Sequence, residues 1–435
     1  MNTATLPMLE IALTLPWIGA AAIPLFRSTP AAARFSLTLG ATATPPSRIF
    51  AIDPVAAPML PVLVLLHLLT LLGTAKSRVT PALCVRILLA TFVGLAVVTC
   101  QDPWILVGLL SVAPLLPYGE LRALGKPTRG FALHMGAFVF LLALGQGLIA
   151  YGSATAGTAA ILTALLVRGG IAPFHAWVPR LFERASYATA MLFVLPLMEV
   201  AATLRLVLPH ASSTWLAAAA WIPLATAIFG GGMAIVQSDV RRFYAHLCLS
   251  QTSLVLFGVL LGSVTGLTAA LCLWVSTAIA LACLAFSLRA VEARFGRLPL
   301  TQFHGLYDQV PGLAVTFLLT GLACVGFPGT VGFLPMELLF AGSVDHGLGV
   351  SVALALAAMF NGVAILRAYF ALFTGRRPAT TLSLATTRLE RAGIVLIALI
   401  VVAGTWIPST FIASRHQVAE QLLGQPVSGS AHPTP

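Results

Sequence analysis

Arg168 closes the apolar run Thr158 to Val167 and opens the segment Gly169-Gly170-Ile171-Ala172-Pro173-Phe174-His175-Ala176-Trp177-Val178-Pro179. A guanidinium stays protonated at any working pH and costs several kcal/mol in hydrocarbon unless it faces a polar interior, so a charge in this setting marks a functional site. Glu199, His246 and Glu337 are further ionisable groups, each alone in an apolar stretch. Together with His175 they form a set suited to passing protons. Imidazole exchanges its proton near pKa ~6.5, and a buried carboxylate is tuned by a nearby cation. The expected arrangement pairs Glu199 with Arg168 and uses His175, His246 and Glu337 as relays.

Such groups can meet at bilayer depth only if helices are interrupted there. Two apolar segments carry the required punctuation: Leu166 to Val178, with Gly169, Gly170 and Pro173, and Ala323 to Phe340, with Gly326, Pro328, Gly329, Gly332 and Pro335. Broken backbone inside a membrane survives only where protein buries it or water lines it, and paired breaks in two halves of a transporter mark its pathway. Arg168 stands at the first break and Glu337 just after the second.

The composition requires a membrane. The chain is 59% hydrophobic and 9% charged, with a mean hydropathy of +0.97, against roughly 25% charged residues in soluble domains. Apolar stretches of bilayer-spanning length recur throughout, about thirteen in all. They centre near Leu15, Leu65, Leu89, Leu109, Phe140, Leu162, Leu197, Pro223, Leu254, Ile279, Ala323, Leu356 and Leu399. The expected fold is all-α: a polytopic transmembrane helix bundle with two inverted-repeat halves and two discontinuous helices, one domain over residues 1–435.

The net charge of +11 does not point to nucleic acid, because the basic residues alternate from loop to loop. Arg122, Lys126 and Arg129, then Arg180 and Arg184, then Arg241 and Arg242, then Arg289, Arg294 and Arg297 fall in every second connection, while Gly152 to Gly157, Pro209 to Ser213 and Gly262 to Gly266 carry no Lys or Arg. This is the positive-inside pattern, and it puts the Arg-rich ends in the cytoplasm. The six cysteines lie in or beside apolar spans without CxxC or metal spacing and read as packing residues. Neither a dinucleotide fingerprint nor a phosphate loop nor a haem motif is present, so no cofactor is expected in this chain. Asp239 reads as a helix N-cap, Trp177 as an interface anchor, His67 and His134 as packing residues, and Arg205 and Arg367 as side chains that snorkel from span ends.

Three stretches together resemble one family. Arg168 through His175 to Trp177 and Pro179 is similar to its Lys-x-x-x-x-Pro-x-His-x-Trp-Leu-Pro at a first broken helix. Asp239-Val-Arg241-Arg242-Phe-Tyr-Ala245-His246-Leu-Cys-Leu-Ser250-Gln251 resembles Asp-x-Lys-Arg-x-x-Ala-Tyr-Ser-x-x-Ser-Gln/His, and Pro328-Gly329-Thr-Val-Gly332-Phe333 resembles Pro-Gly-x-x-Gly-Phe at a second broken helix. The family is the antiporter-like, proton-translocating membrane subunits shared by respiratory complex I, Mrp-type cation/proton antiporters and membrane-bound hydrogenases. Within it the chain resembles most the middle antiporter-like subunits of complex I, as a divergent member. The family-like core covers residues 53–375, with a divergent N-terminal span and loop over 1–50 and a C-terminal loop, last span and tail over 376–435.

The resemblance implies a proton-translocating membrane subunit of a multi-subunit, redox-driven ion pump of the NADH/quinone or hydrogenase type, in the inner (cytoplasmic) membrane. Its implied partners are other membrane subunits and a peripheral redox or coupling subunit. It also marks departures. Arg168 stands where the family has a protonatable Lys, Ser111 where it has a tuning Glu, and Met336 where it has Lys or Glu, with Glu337 adjacent. Two readings remain open: transport with rearranged partners, or a degenerate scaffold that docks other subunits. The membrane subunit of a cation/proton antiporter or of an inorganic-carbon uptake system is a further setting.

Overall fold

The computed structural model describes residues 49–72, 74, 79–375, 388–404 and 409–424. The expected first span near Leu15 lies outside them. Nine helical segments among the described residues are long and apolar enough to cross a bilayer: Pro81–Thr99, Pro103–Ala123, Arg129–Ala150, Ala154–Arg184, Tyr187–His210, Ser213–Val236, Val240–Leu260, Val264–Phe295 and Leu348–Phe373. Met59–Leu71, Pro311–Val325, Phe333–Val344 and Arg391–Val402 are shorter apolar helices. Each later expected centre falls inside a helix, except Leu197.

The helices begin where their sequences supply caps. Thr80 accepts from Leu83 N at 3.2 Å and Asp102 from Ile105 N at 2.9 Å, each followed by a proline at the first helical position. Asp239 accepts from the backbone N–H groups of Arg241 and Arg242 at 2.9 and 3.1 Å, the capping role its position predicts. These side chains satisfy donors that a helix start leaves unpaired, a need made acute by the lack of competing water in a membrane.

Layers follow from burial rather than from amphipathicity. The Val240–Leu260 window is 100% buried, against 28% for Arg129–Ala150; the first helix is therefore the axis of the bundle and the second a wall. The wall helices turn Leu133, Phe140, Leu144, Val352, Met359 and Phe370 outward, as a lipid-facing surface allows. At one crossing the backbones of Arg129–Ala150 and Ala154–Gly169 nearly touch: a Cβ on Gly157 would lie 2.6 Å from Gly145 O and 2.9 Å from Ile149 N.

The basic connections converge on one end, as the alternation requires. Arg184 Nη1 donates to Pro127 O, Arg297 Nη2 to Glu183 O, and Arg241 Nη1 to Phe182 O and Ala185 O, at 2.6–3.2 Å. The opposite end is pinned differently. Arg205 pairs with Asp53 at 2.9 Å and also donates to the carbonyls of Val97 and Cys100. Arg205 is thus a tether between segments and does not snorkel; Arg367 likewise donates to Gln237 O at 3.0 Å.

Both expected discontinuities are present, and a third appears that no Gly and Pro cluster announces in the sequence. Tyr187–Val194 and Met198–Ala202 are separated at Pro196 and Leu197, and a π-helical turn, Thr203–Val207, follows. Leu197 has φ 45°, an uncommon conformation for a side chain of its size. The carbonyl freed at Pro196 accepts from Trp274 Nε1 at 3.1 Å.

The Gly145–Gly157 crossing yields a direct test. Gly157→Val is expected to cost at least about 2 kcal/mol through forced helix separation, read as a lower midpoint of thermal unfolding in detergent. Gly147→Val, whose Cβ would meet nothing within 4 Å, is expected to leave that midpoint unchanged.

Candidate functional site

The first break is built by Gly170, which takes φ 68° and closes the Ala154–Gly169 helix. Ile171 N donates to Leu166 O at 2.9 Å and Gly170 N to Val167 O at 3.2 Å, so the last turn is satisfied locally. A side chain here would also strike Val178, whose Cγ2 would lie 2.4 Å from an added Cβ. The chain resumes through the short turn Phe174–Ala176 and the helix Trp177–Arg184. Trp177 is 2% exposed and donates its indole N–H to Val167 O at 3.0 Å, so it supports the break from inside and is no interface anchor.

Arg168 occupies the last turn before this break and is 1% exposed. Its Nη2 donates to Phe193 O at 3.3 Å, and its guanidinium lies 4.3 Å from the centre of the Phe193 ring. Phe193 sits in the turn that ends at the third break. The charge of one interrupted helix therefore rests on the end of another. Phe131, Trp177 and Phe193 hold one another edge to face at 5.7–5.9 Å, which fixes the ring under the guanidinium. Arg168 Nε is buried without a partner.

Glu199 lies two residues past Leu197, 5% exposed, with its carboxylate against the first break: a Cβ on Gly169 would be 3.7 Å from Glu199 Cγ and 3.8 Å from Oε1. The expected pairing is corrected in one respect. Arg168 and Glu199 are neighbours that feel each other's charge, but they form no ion pair among the described residues, and the guanidinium donates to Phe193 O instead.

His175 and His246 are brought within electrostatic reach of each other, and His134 within reach of His175. His246 is buried and bonds Arg242 O through Nδ1 at 2.8 Å; His134 bonds Gly130 O in the same way at 2.7 Å. The His175 ring packs edge to face on Phe229 at 4.6 Å, and its Nδ1 has no partner. Arg241 is different. Its Nε and Nη2 grip Glu292 at 2.8 and 2.6 Å, and its Nη1 holds two carbonyls, Phe182 O and Ala185 O, at the C-terminal end of Trp177–Arg184. With its donors so committed it is a fixed buried charge.

Glu337 does not join the cluster. It is exposed on the Phe333–Val344 helix, with the 15-residue helix Pro311–Val325 between it and the basic end, and Pro328 and Gly329 of the second break are exposed as well. Gly332 is needed there for close approach, since its Cβ would lie 2.0 Å from Ala323 O. Helix periodicity accounts for the correction: Met336 and Leu339 take the inward face, leaving position 337 outside.

Several polar groups take roles that the sequence left open. Ser111 spends its hydroxyl on Val107 O at 2.7 Å. Glu120, 2% exposed, is instead the buried acid of that segment. It accepts from Ser186 N at 2.9 Å and from the Thr189 hydroxyl, and it faces Arg86 at 3.4 Å. Its nearness to the basic loop hid it. At the core, Asn361 Nδ2 donates to Ser250 Oγ at 2.9 Å and Ser250 Oγ to Ala227 O at 2.7 Å. Gln251 Nε2 and Asn361 Oδ1 are left without partners, the signature of sites that water completes.

At the basic end a cavity of about 430 Å³ opens between Arg86, Glu120, Arg184, Arg241, Arg289 and Glu292. A void of about 10 Å³, the space of a single water, shares Arg86 with this cavity and touches Phe193. Phe193, which lines the void, is also the residue on which the Arg168 guanidinium rests.

The family model described as NADH:quinone oxidoreductase/Mrp antiporter, transmembrane, matches residues 133–361, more than half of the chain. NADH-quinone oxidoreductase subunit N of Alkalilimnicola ehrlichii is 28% identical over 253 residues, 55% of this chain and 48% of that protein. The chain spans about half the length of such curated relatives. A chain of respiratory complex I from Thermus thermophilus superposes with a TM-score of 0.83 at 20% identity, covering 96% of this chain and 99% of that one. A chain of the Mrp complex from Dietzia sp. DQ12-45-1b superposes at 0.76 and 20% identity, covering 96% and 93%. At these identities the superpositions establish the fold.

Removing the Glu120 carboxylate leaves Ser186 N, Thr189 and Arg86 without an acceptor. Glu120→Ala is expected to cost about 3 kcal/mol and Glu120→Gln less, measured as the shift of the thermal midpoint of the purified protein.

Proposed function

Because this chain belongs to the NADH:quinone oxidoreductase/Mrp antiporter transmembrane family, we propose that it is a proton-translocating membrane subunit of a multi-subunit, redox-driven complex of the NADH/quinone or hydrogenase type, seated in the inner (cytoplasmic) membrane. The observation that carries this reading is the meeting of Arg168 and Glu199 where two interrupted helices abut in the interior.

Arg168 cannot store a proton, so it acts as a permanent charge. Glu199 is the group beside it that exchanges one. A proton arriving through the basic-end cavity passes Glu120 and the single-water void to Glu199, and leaves along the Ser250, Gln251 and Asn361 cluster once water bridges it. His175 and His246, with an exchangeable ring near Arg242 O, form a second arm reaching the same end. Arg241 holds the wall of the cavity through Glu292. The redox chemistry belongs to a peripheral subunit.

Glu337 supports a neighbouring membrane subunit. A carboxylate turned out of the chain at bilayer depth costs several kcal/mol against lipid, and a partner helix bearing a cation or hydroxyl removes that cost.

The degenerate-scaffold reading draws on the same Arg168, locked by Phe193, and the two readings separate experimentally. In proteoliposomes carrying the co-purified complex, Glu199→Gln is expected to reduce proton uptake at least about tenfold, and His246→Phe to reduce it measurably. Uptake unchanged in both variants rejects conduction and leaves the scaffold. Glu337→Arg is expected to lose a neighbouring membrane subunit on purification while the chain itself folds; retention of every subunit rejects the docking role.

A further inference from the structure

The cavity at the basic end has a charge imbalance that proton transfer does not explain. Among the described residues, five guanidiniums, from Arg86, Arg184, Arg241, Arg289 and Arg297, line it against two carboxylates, Glu120 and Glu292. Both carboxylates are already engaged. Glu120 takes Ser186 N, Thr189 and Arg86, and Glu292 takes Arg241 through two bonds. Arg184 and Arg297 each donate to a backbone carbonyl, which orients the side chain without neutralising it.

Arg289 is the decisive group. It is 8% exposed, it has no carboxylate partner among the described residues, and its Nη1 is buried with no hydrogen-bond partner while Nη2 meets Thr74 Oγ1. A buried guanidinium with an unspent donor is costly unless an anion completes it. Arg forks match the tetrahedral oxygens of a phosphate in the bidentate way that a lysine cannot. A volume of about 430 Å³ admits a phosphate with its water or a phosphodiester headgroup. The cavity also lies at the end where the basic loops gather, the level of the cytoplasmic leaflet, where basic pockets between helices hold anionic headgroups.

We infer that this cavity is a binding site for a phosphate-bearing anion, with Arg289 as its buried anchor and Arg184 and Arg297 as its rim. The source is either free phosphate or the headgroup of an anionic phospholipid, and the site exists whether or not the chain conducts protons. A bound anion there would also offset the positive potential that the lining guanidiniums set against arriving protons.

The test uses the full chain in neutral detergent at constant ionic strength. Thermal midpoints are followed while sodium phosphate replaces sodium chloride, and separately while mixed micelles receive phosphatidylglycerol or, as the zwitterionic comparison, phosphatidylcholine. A saturable rise with phosphate alone assigns a soluble anion; a rise with phosphatidylglycerol and with neither phosphate nor phosphatidylcholine assigns a lipid headgroup; a rise with both phosphate and phosphatidylglycerol assigns the shared chemistry. Arg289→Gln is expected to weaken the apparent affinity about tenfold or more. If that variant does not fold, the double variant Arg184→Gln, Arg297→Gln decides, with a smaller weakening expected. No rise with any phosphate-bearing probe, or an equal rise in the folded variants, overturns the site.

Discussion

The structure is organised around one buried contact, the Arg168 guanidinium resting on the ring and carbonyl of Phe193. A permanent cation in the middle of an apolar bundle needs a dipole and a π face, and both come from a helix that has itself been broken. The Pro196–Leu197 interruption ends the turn that carries Phe193 and turns Glu199 toward the first break. Phe131 and Trp177 hold the ring in place, and Trp177 donates its indole N–H to Val167 O in the last turn before the first break.

The same logic of freed backbone and borrowed partners recurs through the bundle. Trp274 serves Pro196 O, Thr226 serves Ala172 N, and Arg205 serves the end of Pro81–Thr99. Without water at bilayer depth, what an interruption does not satisfy in its own last turn must be met by another helix. That requirement ties the breaks to specific neighbours and gives the interior a fixed polar track amid close-packed Leu, Ala and Phe.

Charge is distributed by depth. At the basic end guanidiniums exceed carboxylates; in the middle a single Arg stands near a single Glu; at the far end Arg205 and Asp53 neutralise each other. Glu337 faces outward, which makes the second break a property of the chain's surface and its neighbours, while the first belongs to the chain's own interior.

Composition, span spacing and the alternation of Arg-rich loops by themselves determined that this chain is an all-α membrane bundle, and the Gly and Pro clusters located two of its breaks, because these are local or periodic properties that one strand of sequence carries. Asp239 as a cap was readable for the same reason. The break at Leu197, the burial of Glu120, the saturation of Arg241 and the outward face of Glu337 were decided only in three dimensions. In a membrane both faces of a helix are apolar, so sequence pattern does not say which side of a span is interior; that assignment waits on which neighbour packs there.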